Sequence, residues 1–79
     1  MSNILIVDDE PDIVQVIADE LSEAGYGVSR AGDGVEAVLK FIAQRPDFVL
    51  MDIRMPRLNG VDALRIMKAV DGRVPVATF

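Results

Sequence analysis

The chain has no cysteine, no histidine and no tryptophan among its 79 residues. Without cysteine there are no disulfides, no thiolate metal ligands and no thiol redox chemistry. With histidine missing too, zinc and other soft metals lose their usual ligands, and any metal must be held by oxygen. Positive charge is also scarce. Eight Lys and Arg stand against thirteen Asp and Glu, a net charge of −5. So acidic a chain is a poor partner for nucleic acid phosphates. No apolar run is long enough to span a bilayer. Met1-Ser2-Asn3 carries no basic region ahead of an apolar segment, so no secretory signal is read, and a cytoplasmic, non-membrane protein is the expectation. Repeats, low-complexity tracts and linkers are absent, and the length points to one domain over 1–79.

What the chain does have is apolar content. Hydrophobic residues make up 51% of it, and the mean hydropathy is +0.30. In a chain that buries only about 60–65% of its unfolded surface, that fits a parallel sheet covered on both faces better than a half-wet antiparallel one. Strand-like and helix-like patterns alternate. Asn3 to Val7 reads as a buried strand. Pro11 suits the first turn of a helix whose stripe is Ile13, Val14, Ile17, Leu21 and Ala24, stopped by Gly25. Tyr26 to Ala31 is mixed and reads as an edge strand. Asp33 and Glu36 resemble a capping box for a second helix with Val35, Val38, Leu39 and Ile42 as its buried stripe, ending before Pro46. Phe48 to Asp52 is a third strand, and Met55 to Gly60 a loop. Ala63, Leu64, Met67 and Val70 face a third helix inward, and Val74 to Phe79 is a fourth strand. This β-α-β-α-β-α-β order predicts an α/β fold with right-handed crossovers and a ligand crevice beyond the carboxyl ends of the strands.

Two of the apolar runs stop on carboxylates: the first on Asp8-Asp9, the third on Asp52. If those strands are neighbours, three like charges meet at one edge, an arrangement a cation relieves. An all-oxygen site of this kind suits Mg2+, which takes one or two carboxylates and keeps several waters. A carboxylate at a strand end can also attack phosphorus and become an aspartyl phosphate. Asp52, alone at its strand end with a loop after it, is the better nucleophile, and the adjacent Asp8 and Asp9 look like metal holders. A lone Asp in such a place is ordinarily a turn residue; it is the conjunction that favours a site. Asp12 and Asp33 read as helix-start residues, Met51, Met55 and Met67 as packing residues, and Arg54, Arg57, Lys40, Arg65 and Lys68 as solvated charges.

Ile4-Leu5-Ile6-Val7-Asp8-Asp9-Glu10, Leu50-Met51-Asp52-Ile53-Arg54-Met55-Pro56, Gly60 and Ala31-Gly32-Asp33-Gly34-Val35-Glu36-Ala37 together resemble the receiver domain of two-component response regulators. The resemblance runs through the whole chain and covers about the first two-thirds of a family domain. It implies a flavodoxin-like, three-layer sheet in the order 2-1-3-4, lacking the family's last helix-strand-helix part. It also implies Mg2+-dependent acceptance of a phosphoryl group on Asp52 from a histidine kinase or phosphotransfer protein. Asp9 would be a direct metal ligand, Asp8 a direct or water-mediated one, and the backbone carbonyl of Arg54 a third protein ligand beside Asp52. The family's Lys lies beyond residue 79. Its switch hydroxyl falls just past Phe79, and Thr78 shares that strand parity, so Thr78 replaces it only if the preceding loop is short.

A competing expectation is a truncated, phosphorylation-incompetent receiver acting as a binding or oligomerisation module. It would be a homodimer or domain-swapped oligomer formed through the sheet face the absent helix leaves bare. A third, an aspartyl-nucleophile phosphohydrolase, resembles a family that carries Asp-x-Asp on its first strand, whereas here the acids are adjacent. A Gly-rich phosphate loop is missing after the first strand, which excludes dinucleotide and P-loop readings.

Overall fold

β1 (Asn3–Val7) is central, as an apolar run with no polar face requires. The computed structural model describes residues 2–52 and 60–78. Within them follow α1 (Pro11–Glu23), β2 (Gly27–Ala31), α2 (Gly34–Gln44), β3 (Phe48–Met51), α3 (Gly60–Val70) and β4 (Val76–Thr78). All pairings are parallel and the strand order is β2-β1-β3-β4. The flavodoxin-like order implied by the family resemblance is thus the observed one. No helix among the described residues is long and apolar enough to cross a membrane.

The alternation of β1 divides the core. Ile4 and Ile6 face α1, where Val14, Ile17, Ala18 and Leu21 cover them together with Val28 and Phe48. Leu5 and Val7 face the other way, into a larger cluster of Val49, Met51, Ala37, Phe41, Ala63 and Met67 under α2 and α3. Met51 and Met67 are fully buried packing residues, as expected. On the α1 side the sheet is less covered toward β4: Leu50 is half-buried and its register partner Ala77 exposed.

Local chemistry sets the element ends. Pro11 opens α1. Gly25, at φ 97°, closes it: the N–H groups of Gly25 and Tyr26 donate to the carbonyls of Ser22 and Leu21, the paired bonds of a left-handed helix stop. Asp33 caps α2 by accepting from the Glu36 N–H at 2.8 Å. Arg45 ends it with φ 47°, and Pro46 follows. Asp47 pins the start of β3 to β1: its N–H donates to the Asn3 carbonyl, and its carboxylate accepts from the Asn3 N–H.

Three apolar stripes differ from expectation. In α3, Ala63 and Met67 are buried and Leu64 half-buried, but Val70 is exposed. In α2 the buried residues are Gly34, Ala37 and Phe41, with Val38 packed beside them. Val35, Leu39 and Ile42 stay exposed, Leu39 by 63%. Gly34 and Ala37 let the helix lie close on the sheet and the Phe41 ring fills the remaining space, so small residues define the inner face. In α1, Ile13 and Ala24 are exposed and Ala18 is buried in their place. β4 begins at Val76 rather than the expected Val74, although Val74 is core and the Pro75 carbonyl already accepts from the Val49 N–H. The expected loop through Met55 and Pro56, the Arg54 carbonyl and Phe79 lie outside the described residues.

Candidate functional site

The carboxyl edge of the sheet is where the acids gather. The Asp52 N–H donates to the Val7 carbonyl at 2.8 Å and the Asp8 N–H to the Ala31 carbonyl at 3.1 Å. The parallel ladder thus carries on one residue beyond β1 and β3 and sets Asp8 and Asp52 side by side. Asp8 is buried, 5% exposed. Its Oδ1 accepts from the Glu10 N–H at 2.9 Å, which fixes the carboxylate in the turn before α1. Asp9 is exposed and Asp52 half-buried. One carboxylate oxygen from each of the three can be chosen so that all lie within 4.8 Å of one another. The acids expected from sequence to converge therefore do so.

Three hard carboxylate oxygens without a nitrogen or sulfur ligand fit a hard dication such as Mg2+. The same arrangement is costly for bare carboxylates, since each charge opposes the others. Thr78 sits at the carboxyl end of β4, exposed and in register with Met51, one step short of Asp52.

Beside the acids lies a cavity of about 170 Å3 walled in part by Asp8, Asp9, Arg30, Gly32 and Glu36. Its far wall is the turn from β2 into α2. The Gly32 N–H donates to Glu36 Oε2 at 3.1 Å. The capping-box reading thus holds with a variation: Asp33 caps the helix, but Glu36 reaches back one residue beyond Asp33. Lys40 pairs with Glu36 Oε1 at 3.2 Å and donates to the Arg30 carbonyl. The Gly32 N–H, then Lys40, hold the Glu36 carboxyl below its ordinary range. On the α1 side Arg30 donates to Gln15 at 2.8 Å. Lys40 was expected to be a solvated charge. The signal for its partner was the four-residue spacing from Glu36, but no spacing announces its bond to a carbonyl on a neighbouring strand.

The family model of the response regulator receiver domain matches residues 4–79. The transcriptional regulatory protein PrrA of Mycobacterium leprae is 40% identical over 76 residues, 96% of this chain and 33% of that protein. The chain thus spans about a third of the length of the curated relatives it matches. Among solved structures, a receiver domain protein of Clostridium thermocellum superposes with a TM-score of 0.93 at 32% identity, covering 99% of this chain and 64% of that one. The response regulator TrrA of Thermotoga maritima, solved in complex with Mg2+-BeF, gives 0.88 at 35% identity, covering 99% and 66%. The sheet order, the acids at its carboxyl edge and these likenesses agree, and the chain belongs to the response regulator receiver domain family of two-component systems.

Proposed function

We propose that this receiver accepts a phosphoryl group on the Asp52 carboxylate, from a histidine kinase or phosphotransfer protein, with Mg2+ held by Asp8, Asp9 and Asp52. The observation that carries this reading is the meeting of the three carboxylates within 4.8 Å at the carboxyl edge of the sheet. Family membership supports it, as does the Mg2+-BeF complex of the Thermotoga relative. Bound Mg2+ would supply positive charge to the phosphoryl oxygens as they approach three acids. The chain's own part is to position. Asp52 is held by its backbone against Val7 and presents a carboxylate oxygen as nucleophile. Asp8 is buried and locked by the Glu10 N–H, so one metal ligand is preset. Asp9, exposed, is open to solvent and to an approaching donor. Arg54 would add its carbonyl as a further ligand.

The test is phosphorylation by phosphoramidate, read on a phosphate-affinity gel. The expected result is a shifted band that needs Mg2+ and is lost in Asp52→Ala. A band that persists in that variant would place the acceptor elsewhere.

A further inference from the structure

The Ala31 carbonyl that holds the Asp8 N–H is itself gripped from both sides. One residue before it, the Arg30 carbonyl accepts from Lys40. One residue after it, the Gly32 N–H donates to Glu36. Glu36 and Lys40 are joined at 3.2 Å as neighbours one turn apart on α2. A single ion pair therefore clamps the three-residue stretch of backbone on which Asp8 rests, and the same turn walls the cavity beside Asp8 and Asp9. An ion pair on a helix surface contributes little by itself. This one differs because both of its heads also bond backbone of another element.

We propose that Glu36 and Lys40 act as positioning residues for the acid site, fixing the β2–α2 turn against Asp8 and so setting the affinity for a divalent cation. Residues that orient a metal ligand from behind commonly change metal affinity by roughly ten- to a hundredfold. Acting one bond further out, through backbone, this pair is expected to account for about three- to tenfold. The inference rests on the reading of the acids as a Mg2+ site, and charge gives it a sign that tests it. Lys40 is a positive charge, and any field it exerts on a cation site is repulsive, so by electrostatics alone its removal leaves Mg2+ binding unchanged or tighter. If it positions Asp8, its removal weakens Mg2+ binding.

The experiment is calorimetric titration of Mg2+ into the wild type, Lys40→Met and the double variant Glu36→Ala/Lys40→Met, which keeps the net charge. Circular dichroism confirms that each is folded at the temperature used. The expected result is a Kd raised about three- to tenfold in both variants, with Lys40→Arg nearer the wild type. A Kd unchanged or lowered in Lys40→Met overturns the proposal. Should that variant not fold, a wild-type Kd in the double variant overturns it equally. A wild type that does not bind Mg2+ would instead sink the metal reading itself, a result distinct from either.

Discussion

Arg45 ends α2 with φ 47°, in the left-handed region. A side chain there costs about 1–2 kcal/mol. Its guanidinium recovers little, since its pairing with Asp71 spans 3.8 Å on a half-exposed side chain. Arg45→Gly should therefore stabilise the domain by about 0.5–1 kcal/mol after the glycine's extra chain entropy is counted. A rise of about 3–6 °C in Tm by thermal unfolding would show it. Glu36 sets a pH dependence of opposite origin. The Gly32 N–H and Lys40 hold its carboxyl below the ordinary value. A lowered carboxylate stabilises the fold fully above its unfolded pKa, about 4.3, and that contribution is lost as pH falls through the folded value. The Tm advantage of wild type over Glu36→Gln should hold from neutrality to about pH 5 and shrink below about pH 4. A difference that stays constant to pH 3 would contradict this. Residue-level features such as Asp52, Asp8-Asp9 and the Asp33 cap were legible because each is announced by a local run or spacing. The Lys40 bond was not, because its acceptor belongs to a strand ten residues away.

At the scale of elements, helix phase was the hard part. Leu39 and Ile42 outrank Gly34 and Ala37 on any hydropathy scale, so a stripe drawn from bulk alone points the wrong way. The sheet selects the face that comes closest to it, and only packing against β1 and β2 reveals which face that is. Phe41, 1% exposed, anchors it. Phe41→Ala should cost about 3–5 kcal/mol, whereas Leu39→Ala, 63% exposed, should stay within about 0.5 kcal/mol. Urea unfolding of the two variants separates the phases, and equal losses would favour the stripe read from sequence. The strands were easier. β1 and β3 are nearly continuous apolar runs, and β2, half-covered and carrying Arg30, is an edge as its mixed composition suggested.

At the scale of the whole molecule, stability and ligand are linked. Three carboxylates drawn within 4.8 Å repel in the folded state more than in the unfolded chain, so binding a dication relieves a strain the fold imposes. Any ligand that binds only the folded state stabilises it by about 2.7 kcal/mol at a hundred times its Kd. Millimolar Mg2+ should accordingly raise the wild-type Tm. Asp9→Asn should melt higher than the wild type in chelator and respond little to Mg2+. If both proteins shift alike on adding Mg2+, the ion is acting by general screening. Strand alternation could be read from the pattern, but the order β2-β1-β3-β4 could not. Each β-α-β step allows the next strand to fall on either side, and only the family resemblance chose.

That order also has a consequence in time. β1 is made first, yet it finishes between β2 and β3. Asp8 and Asp52 cannot meet until the intervening helices and strands have closed their loops, and such non-local closure is the slow part of folding. During synthesis Asp8 and Asp9 leave the ribosome well ahead of their third partner and must wait through both crossovers. A collapsed or half-zipped chain holds the dyad but not the triad. The proposed cation binding should therefore be among the last properties the nascent chain acquires, and its appearance would mark a correctly threaded sheet rather than a merely compact one.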